Sequence, residues 1–306
     1  MTTETEYERP RYSEYRYRGG ETDAEIHKDY DLVQLKMDGM YATLTIRDRS
    51  WTITSRTGNI KAEGGWPESD DDYILTGEYM QGSHWAKRHD DIDELGFYAF
   101  DCQRYKSQEA TMTEKGDFHT RDLWLAKAVT SIADTIYTMP IFRDFNIYKV
   151  KTYPRYKWTT LWEEYVKDRD YEGLIFRNSY HEFSWDSDGS RTTSLARMKK
   201  EIEMDYICVG FEPADSESKY AGQVGAVKGT LIDKDVVVEC GGLTDIQRAE
   251  YTTNAENYIG KIFTAKGNDW FPSGSIRHPK FREWREDKTP YECNYRQVPD
   301  DIRRED

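Results

Sequence analysis

An α+β chain of two domains is predicted, on three observations. Short apolar or alternating runs recur through the first part of the chain. One long stretch, Phe118–Tyr137, switches to helical spacing. From about Glu203 the texture changes to short strands between Gly-rich turns, with one inserted helix. The 306 residues suffice for two domains with ample core. The expected division is 1–202, an N-terminal arm with a mixed or antiparallel sheet domain, and 203–306, a small Greek-key barrel of the OB type ending in a polar tail.

Taken in order, Met1–Arg18 is polar and Tyr-rich and reads as a peripheral arm. Leu32–Leu44 reads as a strand, a turn at Asp38-Gly39 and a second strand, because Ala42, Leu44 and Ile46 alternate with Tyr41, Thr43 and Thr45. Ser50–Thr57 is another alternating run, ended by a Gly-Gly-Trp-Pro break and an acidic loop. Tyr73–Met80 and Gly96–Asp101 are apolar runs, as expected of a sheet buried on both faces. In Phe118–Tyr137, Leu123, Leu125, Ala128, Ile132 and Ile136 fall among helically spaced apolar positions, with Asp117 or Thr120 as cap. A strand at Phe145–Val150, a short helix at Thr159–Val166 and a strand at Tyr171–Arg177 follow; Tyr180–Ser194 is a polar, mobile loop. Beyond it, Tyr206–Glu212, Gly225–Ile232, Asp235–Cys240 and Lys261–Ala265 read as strands, and Asp245–Tyr258 as the inserted helix.

Composition narrows the classes. Nine Trp, 23 Tyr and 11 Phe are too many for a disordered chain, even with 33% charged residues. No apolar run is long enough to span a membrane, and the N-terminus carries no apolar segment of the signal-peptide kind. Cys102, Cys208, Cys240 and Cys293 are far apart, without a CxxC pair, and read as free thiols of a reducing, cytoplasmic compartment. The net charge of −14 argues against nucleic acid as a partner only weakly, because binding needs a local basic face such as the Arg277–Lys288 island.

Lys36-Met37-Asp38-Gly39 has two readings. A lysine leading into a turn between buried strands can be desolvated, which lowers its pKa and frees a nucleophilic amine. The plainer reading is a solvated lysine beside an Asp-Gly hairpin. Further along, in order, come Gly77-Glu78-Tyr79, Phe97-Tyr98-Ala99-Phe100-Asp101, Glu172-Gly173-Leu174-Ile175, Arg197-Met198-Lys199 and Arg285-Glu286-Asp287-Lys288. Each is weak alone: a strand-end Glu can be an ion pair, Phe100 a core residue, and an RxDK run a solvated surface.

The ordered set resembles the covalent nucleotidyltransferase superfamily over roughly Leu32–Lys288. Ser55-Arg56-Thr57-Gly58, the Gly222–Ala226 turn and Arg277-His278-Pro279-Lys280-Phe281 are similar to ATP-dependent DNA ligases in particular. The short arm looks like the compact ligases of bacteriophages, large viruses and some bacteria. The resemblance implies that a covalent lysyl-AMP forms on Lys36, passes its AMP to the 5′-phosphate of a nick, and is followed by sealing by the 3′-hydroxyl. It implies ATP and Mg²⁺ (with Mn²⁺ able to substitute), nicked duplex DNA as partner, no membrane, and a monomer in the cytoplasm, the host's if viral. It makes Glu172 and Asp38 metal ligands and Glu78 a ribose contact. Phe100 would stack on adenine, with Tyr98 as the other choice. Gln34 and the Leu35 backbone would read the adenine edge. Arg197 and Lys199 would hold the α-phosphate, and Arg56 a phosphate of ATP or of the nick. Arg285 and Lys288, with Asp287, would orient pyrophosphate as the barrel closes over ATP. Arg277 and Lys280 would contact DNA.

Two departures stand out. Where the family has KxDGxR, this chain has Tyr41, a phenol in place of a guanidinium fork. Where it has Lys-x-Lys, this chain has Arg197-Met198-Lys199. The alternatives are a capping guanylyltransferase or RNA ligase of the same superfamily, or a relative that binds nucleic acid without chemistry. RNA ligases generally lack the RxDK-bearing barrel, and capping enzymes lack the Arg-His-Pro-x-Phe lead.

Overall fold

The computed structural model describes residues 12–14, 30–80, 96–106, 108–109, 117–138, 146–169, 171–180, 192–300 and 302–303. Most of the predicted arm, most of the predicted 180–194 loop, and the end of the tail lie outside them. The chain divides into two compact units, Met1–Lys199 and Lys200–Asp306.

The first unit holds β1 (Tyr12–Glu14), β2 (Leu32–Lys36), β3 (Met40–Arg47), β4 (Ser50–Ser55), β5 (Ile60–Gly65), β6 (Tyr73–Tyr79), β7 (Phe97–Tyr105) and β8 (Gln108–Glu109). These are followed by helix α1 (Phe118–Thr138), β9 (Ile147–Lys149), β10 (Thr152–Pro154), helix α2 (Trp158–Leu161), β11 (Gly173–Arg177) and β12 (Thr192–Lys199). The strands form two sheets. One runs β1-β12-β11-β2-β10; the other runs β5-β4-β3-β6-β7-β8, with β9 beside β7.

The strands at Leu32–Leu44 are present, but they do not form a hairpin. β2 pairs with β10 and β11, whereas β3 pairs with β4 and β6. Lys36–Gly39 is therefore the crossing from one sheet to the other. The crossing is tight: a Cβ on Gly39 would lie 2.6 Å from Met80 Sδ and 3.0 Å from the Tyr79 carbonyl oxygen.

Two-residue periodicity gives each sheet a core face and a second face. On the larger sheet, Ala42, Leu44, Ile46, Leu75, Phe97 and Ala99 pack with Leu125, Ala128 and Ile132 of α1. Asp117 caps the helix, accepting from the Thr120 N–H at 2.8 Å. Leu123, predicted on the apolar stripe, is instead 53% exposed. On the smaller sheet, Val33, Leu174, Phe176, Ala196 and Met198 pack on Trp158, Leu161 and Trp162. The predicted helix at Thr159–Val166 is one α-turn continued as a π-helix over Trp162–Lys167. A further apolar cluster joins Met37, Met80, Tyr98, Phe100 and Val150, with Leu35 and Tyr41 against it.

The second unit contains β13 (Ile202–Pro213), β14 (Val224–Thr230), β15 (Val238–Cys240), helix α3 (Asp245–Asn254), β16 (Ile262–Gly267) and β17 (Lys280–Trp284). Their sheet order is β15-β14-β13-β16-β17, and a parallel bridge between Gly241 and Lys280 joins the two ends. Thr244 caps α3 in a capping box with Gln247, and Tyr206, Val227, Phe263 and Phe281 fill the interior. The four cysteines are free and buried. Among the described residues no helix is long and apolar enough to cross a membrane.

Candidate active site

Strand pairing builds the centre of the site. β11 lies between β2 and β12, and its first residue, Gly173, stands opposite Lys36 on one side and Lys199 on the other. The side chain of Glu172, one residue earlier, thus lies between two lysines brought together from 163 positions apart in sequence (199 − 36). Both carboxylate oxygens are engaged: Oε2 accepts from Lys36 Nζ, and Oε1 from Lys199 Nζ. Gly173 permits this meeting. Its φ is +154°, and a Cβ there would sit 2.0 Å from the Met198 carbonyl oxygen.

The cluster is largely dry, with the side chains of Lys36, Glu172 and Lys199 13%, 9% and 20% exposed. A solvated lysine is therefore excluded. Burial pushes the Glu172 carboxyl up, but the Lys36 and Lys199 ammoniums outweigh it and hold the group at about 2. Burial and the neighbouring Lys36 charge draw the Lys199 amine below the ordinary lysine range, against the pull of Glu172.

The neighbouring pocket is lined by Gln34, Leu35, Lys36, Met37, Glu78, Phe100, Ile175 and Arg177. Alternation explains the membership. Leu174 and Phe176 go to the core, so Ile175 and Arg177 face the pocket; Ala196 and Met198 go to the same core, so Arg197 and Lys199 lie on the opposite face. On the larger sheet Tyr41, Glu78 and Tyr98 form one cross-strand row. Tyr41 packs toward Phe100, with ring centroids 6.2 Å apart, against the apolar cluster that holds Met37 and Phe100.

Behind the pocket lies a buried network absent from the sequence reading. Arg177 Nε donates to Gln34 Oε1 at 2.6 Å, and Gln34 Nε2 donates to Thr152 Oγ1 at 2.9 Å. Arg177 also donates to Asp101, which accepts from Arg121 Nε at 2.8 Å. Burial raises the Asp101 carboxyl, but the two guanidiniums dominate and hold it below the ordinary range. Arg177 stands over the Phe100 and Phe118 rings, at 5.4 and 4.5 Å. The signal was present: Asp101 and Arg177 each end an apolar strand run, where a charge needs a partner.

Other predicted residues fall elsewhere. Asp38 is buried at the crossing between sheets. Arg56 is exposed on the turn after β4 and does not line the pocket. In the second unit Arg277 is half-buried and Lys280 exposed. There too, Arg285 grips Asp287 with Nε and Nη2, at 2.8 and 2.6 Å, and Lys288 Nζ lies 3.3 Å from Glu292. No three His, Cys, Asp or Glu side chains gather as a metal-binding group among the described residues. Glu172 and Asp38 are nonetheless hard oxygen donors, and Mg²⁺ needs only one or two carboxylates beside water and phosphate.

The arrangement can present a primary amine, held by a carboxylate and flanked by a second amine, to an electrophile entering beside Phe100 and Glu78. Group transfer to an anionic centre suits this charge pattern.

No protein-family model matches the sequence, and no curated protein does. Solved structures do match. A structure designated Pmar-Lig_Pre. aligns with TM-score 0.64 and 18% identity, over 91% of this chain and 69% of that one. Pmar-Lig_PreS3 aligns with TM-score 0.63 and 18% identity, over 90% and 68%. A structure from a study of "DNA binding with a minimal scaffold" in Lig E DNA ligases aligns with TM-score 0.59 and 16% identity, over 90% and 99%. The chain has the fold of the DNA ligases.

Proposed function

We propose that the protein is an ATP-dependent DNA ligase that seals 3′-hydroxyl/5′-phosphate nicks in duplex DNA. The observation that carries this reading is the meeting of Lys36, Glu172 and Lys199 at adjoining strand ends beside a pocket walled by Glu78 and Phe100. In the first step Lys36 Nζ, having lost its proton, attacks the ATP α-phosphorus. A P–N bond forms, the bond to the bridging oxygen breaks, and pyrophosphate leaves. In the second step an oxygen of the 5′-phosphate attacks the AMP phosphorus and Lys36 is released. In the third the 3′-hydroxyl oxygen attacks the 5′-phosphorus, and AMP departs with the P–O electron pair.

Each residue has a place in that sequence. Glu172, with a carboxyl near 2, stays ionised and is a poor proton store; it orients Lys36 and Lys199. Lys199 and Arg197 supply positive charge toward the α-phosphate. Phe100 offers adenine a face, Glu78 accepts from a ribose hydroxyl, and Gln34 with the Leu35 backbone meets the base edge. Mg²⁺, held by Glu172 and Asp38, would neutralise phosphate charge. Arg285, Asp287 and Lys288 are assigned to the pyrophosphate side of the first step, and Arg56, Arg277 and Lys280 to DNA phosphates.

The domain reading is 1–202 for adenylation and 203–306 for an OB-type barrel. It is supported by the five-stranded sheet with linked ends and a helix between its third and fourth strands. The test is sealing of a nicked, end-labelled duplex with ATP and Mg²⁺, using Lys36→Ala as control. ATP-dependent joining by the parent alone is expected; joining by Lys36→Ala, or none by either, contradicts the proposal.

A further inference from the structure

Arg285 and Lys288 line a cavity of about 420 Å³ in the second unit, with Tyr258, Lys261 and Trp284. One buried carboxylate lies behind both cations without lining that cavity: Asp205, on β13. Asp205 Oδ1 is 3.6 Å from Arg285 Nη1, and Oδ2 is 3.6 Å from Lys288 Nζ. Thr264 Oγ1, on β16, donates to Oδ1 at 2.5 Å and accepts from Arg285 Nη1 at 3.2 Å. The Asp205 backbone is fixed in turn by Gln297, which accepts from its N–H at 2.8 Å and donates to its carbonyl at 3.0 Å.

We propose that Asp205 is a positioning residue that, with Thr264, aims Arg285 and Lys288 at the polyphosphate of the incoming nucleotide; this rests on the ligase reading above. Distance is the physical reason. At 3.6 Å the carboxylate attracts both cations but lies beyond hydrogen-bond range, so it consumes none of their donors. Its burial strengthens that attraction relative to an exposed pair. Arg285 spends its Nε and Nη2 on Asp287 and one Nη1 proton on Thr264, which leaves its outer edge for a ligand. Asp287 and Glu292 are also near these cations but largely solvated, with 65% and 45% of their side chains exposed; Asp205, at 12%, is the partner shared by both.

The test compares two activities of each variant: formation of protein-bound AMP from labelled ATP, and sealing of a nick that already carries 5′-adenylate. Asp205→Asn keeps an acceptor for Thr264 and removes only the charge. It should slow labelling about ten- to hundredfold, as expected of a misplaced catalytic contact. It should leave sealing of the adenylylated nick unchanged, which also certifies the fold. Thr264→Val should show the same split with a smaller loss. Asp205→Asn added to Lys288→Ala should cost much less than the two effects summed. Equal losses in both activities, or undiminished labelling by Asp205→Asn, would overturn the positioning role alone. A parent protein that takes no label from ATP would remove the ligase reading, and this role with it.

Discussion

Replacing Glu172 by Gln removes one negative charge from between two ammoniums and keeps the side-chain shape. The Glu172 carboxyl is held at about 2 against an ordinary 4.5, because the Lys36 and Lys199 charges outweigh its burial. That difference of about 2.5 units, at 1.36 kcal/mol each, is about 3 kcal/mol of folded-state stability. The sign is that of a depressed acid: the contribution is complete above about pH 4.5 and disappears as the pH falls toward 2. Glu172→Gln should therefore be less stable than the parent at pH 7 by up to about 3 kcal/mol. Loss of a proton from the Lys199 amine, already drawn down by burial and by Lys36, would soften the loss. The gap should narrow steadily from pH 4.5 down to pH 2.5. Urea unfolding followed by circular dichroism at several pH values measures it. Two stability curves that stay parallel down to pH 2.5, or coincide at pH 7, would mean that the Glu172 charge does not stabilise the fold through Lys36 and Lys199. The variant should also fail to take label from ATP.

Two more substitutions test the supporting structure. Gly173→Ala should destabilise the first unit by about 2 kcal/mol or more and abolish labelling, because its Cβ overlaps the Met198 carbonyl oxygen; thermal unfolding with parent-like stability would contradict this. Asp101→Asn leaves the Arg121 and Arg177 guanidiniums, 4% and 3% exposed, without their carboxylate. It should cost about 3–5 kcal/mol in urea unfolding, and a cost under about 1 kcal/mol would place the network's charge balance elsewhere.

The strands and the long helix were legible because two- and 3.6-residue periods are local properties. Partner choice is not local, so Lys36–Gly39 looked like a hairpin turn when it joins two sheets. Strand β5 was hidden because it is an edge: Ile60 and Lys61 are exposed, and Gly64 leaves space only for the Trp51 ring. Lys36, Glu172 and Lys199 could be named from the ordered motifs, but their shared row opposite Gly173 belongs to the strand register. Arg177, at the end of an apolar run, signals that a partner exists but not which one, and Asp205, inside a run, carries no mark of its partners. Arg56 shows the converse: its motif is clear, yet its side chain stands on an exposed turn away from the pocket.

Under the proposed function, Lys36 becomes covalently adenylylated. The direct measurement is incubation with Mg²⁺ and α-labelled ATP, denaturation, and peptide mapping of the protein-bound label, with GTP and NAD in parallel. An acid-labile AMP is expected on the peptide containing Lys36, from ATP alone. None is expected in Lys36→Arg, whose guanidinium cannot supply a neutral amine near neutral pH. Label retained by Lys36→Arg, or mapped to Lys199, would contradict that role of Lys36.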